Sequence, residues 1–130
     1  MKQGNGVKNG SRTRHYRDLL VRQKAMELAK RIYSVTDAFP KTEMFGLQSQ
    51  MRRAAVSIPS NIAEGHGRLN DGHFRQFLAT ARGSLFELQT QMEIAGSRNL
   101  IEQKDVNDLM ETSEEIARML NGLLHTLDEG

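Results

Sequence analysis

The chain has 130 residues, 38% of them hydrophobic and 26% charged, with no cysteine and a formal net charge of +2. That length encloses one hydrophobic core, so a single domain is expected. The missing cysteines exclude disulfides and thiolate metal sites and fit a cytoplasmic setting. No apolar run approaches the roughly 20 residues that span a bilayer, and the first residues lack the apolar centre of a signal peptide.

Residues 1–14 are rich in Gly, Asn, Lys and Arg around the single apolar Val7, too little to order the segment by burial. They are predicted to form a flexible basic arm, with one domain over 15–130. A first helix is expected over about 15–37. Leu19, Met26, Ala29 and Tyr33 form one apolar stripe at helical spacing, and Val21, Ala25, Leu28, Ile32 and Val35 form a second. Arg22 lies between Leu19 and Met26, where burial would require a partner.

Phe39-Pro40 ends this pattern, because the residue before proline is driven from the α region. A second helix is predicted over about 42–66, with Thr42 as N-cap and Glu43 near the positive helix end. Met44, Leu47, Met51, Ala54, Ile58 and Ile62 mark its apolar face. Pro59 removes the hydrogen bond to the Ala55 carbonyl, so a kink is expected, with Ser57, Ser60 and Asn61 placed to satisfy the freed group. Gly65 and Gly67 read as the stop.

A third helix over about 71–96, capped by Asn70, carries Phe74, Leu78, Ala81, Leu85, Leu88, Met92 and Ala95 in alternating four- and three-residue steps, the spacing of a bundle seam. A fourth is expected over about 102–127, facing inward through Val106, Leu109, Met110, Ile116, Leu120, Leu123, Leu124 and Leu127. The fold class is therefore all-α, an antiparallel up-and-down four-helix bundle.

One bundle accounts for one face of each helix, and the second faces are informative. Gln50, Arg53, Ser57, Ser60, Asn61 and Glu64 share a lysine-free polar face of the second helix. Gln76, Ala79, Thr80, Gly83, Glu87, Thr90, Gln91 and Ile94 form a mostly small or uncharged face of the third. A mid-helix glycine costs about 1 kcal/mol relative to alanine, so Gly83 suggests that another backbone comes close. A homo-oligomer follows as an expectation, its interface drawing on Arg22, Gln50, Arg53, Ser57, Asn61, Glu64, Ala79, Gly83 and Glu87. The unequal faces favour a head-to-tail ring.

Charge is distributed unevenly. Residues 1–31 hold Lys2, Lys8, Arg12, Arg14, Arg17, Arg22, Lys24, Lys30 and Arg31 against Asp18 and Glu27, a net +7 that leaves −5 for the rest. The basic set without Arg22 is the candidate nucleic-acid surface, contacting phosphates of RNA or DNA without reading bases. With no tryptophan, base-specific single-strand recognition is not expected. The alternative is a scaffold that binds another protein.

Catalytic chemistry finds no support in the sequence. His15, His66, His73 and His125 lack metal-ligand spacing, so no metal or cofactor is expected. Glu64 and Glu87 could be read as paired acids, but no positioned nucleophile accompanies them, and pairing with Arg53, Arg52 or Arg22 is the simpler reading. Arg53 belongs to the polar face, whereas Arg52 points elsewhere.

Phe39-Pro40, Glu43, Phe45-Gly46-Leu47, Gln50, Arg52-Arg53-Ala54, Ser57-Ile58-Pro59, Asn61-Ile62-Ala63-Glu64-Gly65, Arg68, Phe74, Phe77-Leu78, Ala81, Gly83-Ser84 and Glu87 carry a resemblance. Over residues 15–127 the chain resembles the small four-helix bundle proteins encoded in intervening sequences of bacterial 23S ribosomal RNA genes, once labelled S23 ribosomal proteins. The resemblance implies a homopentameric ring, no inherited catalytic residues, and a distant relationship to the accessory protein of diversity-generating retroelements, a basic pentameric barrel that binds nucleic acid and partners a reverse transcriptase. Relatives often carry tryptophan where this chain has Arg22.

Overall fold

The computed structural model describes the backbone of residues 2–68 and 70–129 and the side chains of residues 16–68 and 70–128. Four helices carry the chain, α1 (Lys2–Thr36), α2 (Leu47–His66), α3 (Asp71–Ser97) and α4 (Gln103–Glu129), with a 3-10 turn at Lys41–Glu43. No strand occurs among the described residues. The helices close a four-membered ring of neighbours, α1 against α2 and α4, and α3 against α2 and α4.

The core is built from the seams visible in the sequence. Every residue of the α3 seam from Phe74 to Ala95 is buried. Met51, Ala54, Ile58 and Ile62 of α2 and Leu109, Ile116 and Leu120 of α4 meet it. Of the two α1 stripes, Val21, Ala25, Leu28 and Ile32 enter the core, joined by Ala29, while Leu19, Met26 and Tyr33 stay exposed.

The pairs across the bundle run in opposite residue order. Ser57 meets Ser84, and further along α2 Gly65 meets Phe74 and Phe77. Arg75 bonds Asp128, Arg82 bonds Asn121 and Gln89 bonds Ser113. Arg31 donates to Thr112, and Lys24 pairs with Glu115.

The helix ends depart from the sequence reading in three places. The α1 backbone is helical from Lys2, through the segment expected as an arm before a helix at about His15. The N-cap of α2 is Gly46 rather than Thr42, because Pro40 is followed by a 3-10 turn closed by the Glu43 amide donating to its carbonyl at 2.9 Å. Glu43 nonetheless reaches the positive end of α2, its Oε1 accepting from the Leu47 amide at 3.4 Å.

Gly65 is not a helix stop. It lies within α2 without a positive φ, and an added Cβ would sit 2.9 Å from Phe77 Cβ and 3.0 Å from Phe74 Cδ1. The glycine lets α2 and α3 approach closely.

Pro59 is buried inside α2, which runs unbroken from Leu47 to His66. The Asn61 amide bonds the Ser57 carbonyl at 2.8 Å and Ser57 Oγ at 2.9 Å, so it serves Ser57 rather than the Ala55 carbonyl that proline frees. Asn70 caps α3, its Oδ1 accepting from the amides of Gly72 at 2.7 Å and His73 at 3.2 Å.

Candidate interaction surfaces

Between α1 and α2 runs an open groove of about 950 Å³, lined by Arg22, Gln23, Met26, Glu27, Ala29, Lys30 and Tyr33 on one wall and Val56, Pro59, Ser60 and Ala63 on the other. It exists because α1 carries more apolar surface than its own core uses. Met26 is 46% exposed, Tyr33 43%, Leu19 41% and Val56 41%. A contiguous apolar strip rimmed by charge marks a contact surface more often than a solvated face.

A second uncovered face lies on α3, where Phe86 is 47% and Ile94 44% exposed. Gly83 sits beside them, and a Cβ there would meet nothing within 4 Å. No other described part of the chain approaches it, so the expected close contact is absent among the described residues. The cost of about 1 kcal/mol for an exposed mid-helix glycine therefore has no compensation among them.

The expected interface residues divide between these surfaces and internal bonds. Arg22 lines the groove, exposed, with no ion pair or hydrogen bond among the described residues. Gln50 and Arg53 are exposed on α2. Ser57 is drawn toward α3, its Oγ 2.8 Å from Ser84 Oγ, and Asn61 bonds Ser57. Glu64 pairs with Arg68 at 3.1 Å, and Glu87 accepts from Gln91 Nε2 at 3.2 Å. Ala79 is half-buried at the edge of the Gly83 face. Neither glutamate pairs with Arg52, Arg53 or Arg22 inside the chain.

Of the expected phosphate-binding cations, Arg17, Lys24 and Arg31 recur every seven residues along α1, and Lys30 lies on another side of the helix. Lys24 pairs with Glu115 at 2.9 Å and Arg31 donates to Thr112 Oγ1 at 3.0 Å, so both turn toward α4. Lys30 lines the groove on the α2 side, and Arg17 is exposed. The side chains of Lys2, Lys8, Arg12 and Arg14 lie outside the described residues.

Three arrangements escaped the sequence reading. Arg52 reaches the C-terminal end of α1, donating Nε to Thr36 Oγ1 at 2.9 Å and Nη2 to Asp37 Oδ1 at 2.7 Å, with its guanidinium 4.6 Å from the centre of the Tyr33 ring. His66 Nδ1 meets the carboxylate of Asp18, which is buried on α1. A signal for it existed, since Asp18 shares the stripe of Val21, Ala25 and Ile32. At the far end, Arg75 and Asp128 pair on the surface, and the hydrogen bond from Arg75 holds the Asp128 carboxyl below its ordinary value, opposed by slight desolvation.

Among the described residues no group of three or more His, Cys, Asp or Glu side chains is placed to hold a metal ion. No described helix is long and apolar enough to cross a membrane.

The sequence model of the 23S rRNA-intervening sequence proteins matches residues 17–122. Among solved structures, the chain is similar to a protein of unknown function from the S23 ribosomal protein family of Bacteroides thetaiotaomicron VPI-5482. The two share 23% identity at a TM-score of 0.77, over 84% of this chain and 98% of that one. At that identity the likeness speaks to fold alone. No curated protein matches the chain.

Proposed function

As the chain belongs to the 23S rRNA-intervening sequence protein family, we propose that it acts as a non-enzymatic homo-oligomer, a ring of antiparallel bundles that presents basic α1 segments to RNA or DNA. The observation that carries this reading is the pair of uncovered apolar faces, one on α1 and α2 around Met26, Tyr33 and Val56, the other on α3 around Phe86 and Ile94. They are unlike each other and lie on different helices, which suits a head-to-tail contact closing into a ring over a self-complementary dimer. The opposite residue order of the Ser57–Ser84 and Gly65–Phe77 contacts supports antiparallel helices, and Pro59 within α2 supports a bend there. Five copies is the number the family resemblance implies.

The nucleic-acid role rests on the +7 carried by residues 1–31. Because Lys24 and Arg31 are engaged with α4, one subunit offers a thin surface through Arg17, Lys30 and the segment before Tyr16. A ring multiplies that surface, and several weak phosphate contacts on one strand act together. The working compartment of this reading is the cytoplasm.

The test is the anisotropy of a labelled structured RNA titrated with the full chain at low and near-physiological salt, alongside its native mass. The reading expects an oligomer whose log affinity falls linearly with log salt, and weaker binding once residues 1–14 are removed. Absence of binding at both salts overturns the RNA role. A second reading, a protein-binding scaffold, is favoured by Phe45, 91% exposed beside half-exposed Met44 in the turn before α2. It expects a salt-tolerant protein contact that Phe45→Ser abolishes.

A further inference from the structure

Head-to-tail assembly needs a surface that receives and a different surface that inserts, and three features of this chain select both. The first is a spare seam on α1. Leu19, Met26 and Tyr33 recur every seven residues, about 10.5 Å apart along the helix, and remain exposed while the neighbouring stripe fills the core. Seven-residue spacing is what keeps one helix in register with another along a shared seam. Met26 and Tyr33 of this seam, together with Val56 and Ala63 of α2, wall the groove of about 950 Å³.

The second is a matching seam on α3. Ala79, Gly83, Phe86 and Thr90 follow one another in steps of four, three and four, on the side turned away from Leu78, Leu85 and Met92. Phe86 projects, while Gly83 leaves a place where another helix can come close.

The third is charge. Along the groove Arg22 and Lys30 outweigh Glu27, and Arg22 has no partner among the described residues. The α3 face carries Glu87, whose described contact is with the neutral Gln91 amide, and exposed Glu93 nearby. Arg75 and Arg82 on the same side of α3 are engaged with Asp128 and Asn121, which leaves Glu87 on this face and Arg22 in the groove each without an opposite charge among the described residues, and that complementarity favours a second copy as the occupant.

The geometry points to an interface in which the Gly83-centred face of α3 of one copy lies in the α1/α2 groove of the next, with Phe86 packing on Met26 and Val56 and Glu87 pairing with Arg22. This pairing of faces rests on the assembly reading above. It explains together why Arg22 interrupts an apolar seam and why Gly83 stands open in its own subunit.

The test is the native mass and dissociation constant of the full chain and its variants, with far-UV circular dichroism to follow helicity. Gly83→Leu adds a side chain where the subunit has room, so the helices should persist while the oligomer falls to monomer. Gly122→Leu, at an equally open position of α4, should keep the wild-type mass. Arg22→Glu and Glu87→Arg should each weaken assembly about tenfold or more, and the double variant should recover most of the loss, since coupled contacts show non-additive effects. A monomeric wild-type chain overturns the assembly reading itself. An oligomeric wild type whose mass survives Gly83→Leu, or whose charge swaps add without rescue, overturns this pairing of faces and leaves assembly standing through another surface.

Discussion

Arg52 Nε lies 2.9 Å from Thr36 Oγ1, which joins the second helix to the last turn of the first. A helix ends with carbonyls that have no partner of its own, and two carbonyls of α1 receive donors from α2. Gln48 Nε2 bonds the Thr36 carbonyl at 2.8 Å, and Arg52 Nη2 bonds the Tyr33 carbonyl at 3.3 Å as well as Asp37.

Replacing this guanidinium should therefore cost more than the loss of one surface ion pair. Arg52→Lys keeps the charge but cannot hold Thr36, Tyr33 and Asp37 in one planar fork or stack on the Tyr33 ring. We expect a loss of about 1–2 kcal/mol for Arg52→Lys, in line with two hydrogen bonds of net value near 1 kcal/mol each. Arg53→Lys, at the exposed neighbouring position, should change subunit stability by less than about 0.5 kcal/mol. Urea denaturation of both variants measures the contrast.

Gly65→Ala tests the closest approach of α2 and α3. The new methyl would lie 2.9 Å from Phe77 Cβ and 3.0 Å from Phe74 Cδ1, and Phe77 Cβ cannot swing aside because it is fixed to the α3 backbone. Alanine is the better helix former, so propensity alone predicts a gain. Overpacking should win, with a net loss of about 1–3 kcal/mol and a lower denaturation midpoint. A variant as stable as the wild type would show that the helices can part at no cost.

Gly65 also shows how far the sequence could be read. The α3 seam was legible because seven apolar residues repeat at one spacing, and Asn70 because an amide before a helical pattern has one obvious use. The core stripe of α2 was legible for the same reason. A glycine near a helix end, however, has two physical uses, a stop and a close approach, and only the position of Phe77 distinguishes them. Thr42 and Gly46 posed the same difficulty, since the 3-10 turn after Pro40 shifts the start of α2 without altering the apolar period. The uncovered faces were half legible. The spare stripe of α1 and the open face around Gly83 stood out, whereas the bonds of Ser57 to Asn61 and to Ser84 within the chain did not.

The Arg75–Asp128 pair gives a pH dependence of known sign. The hydrogen bond from Arg75 lowers the Asp128 pKa in the folded chain, so the contribution is present above the unfolded value near 3.9 and is lost as pH falls through the lower folded value. The stability difference between wild type and Asp128→Asn should be full at neutral pH and should shrink in acid below about pH 4. Both groups are exposed, so added salt should shrink it as well. A difference that grows in acid would contradict the assignment.

Gln91 makes the opposite case, a polar side chain the fold would do better without. It is 6% exposed on α3, its Nε2 reaches Glu87 at 3.2 Å, and its Oε1 is buried with no hydrogen-bond partner among the described residues. A buried acceptor left unmatched loses its hydration without compensation, at about 1–3 kcal/mol. Methionine has similar length and flexibility and no such acceptor, so it can occupy the same buried space on α3. Against the gain stands the part-buried bond to Glu87, one long hydrogen bond of small net value. Gln91→Met should therefore stabilise the subunit by about 1 kcal/mol, the lower end of that range. Because Glu87 is the residue assigned to Arg22 of a neighbouring copy, freeing it from Gln91 should leave the native mass unchanged or tighten assembly. Chemical denaturation and native mass spectrometry of this one variant thus report on the burial of this α3 side chain and on the carboxylate beside it.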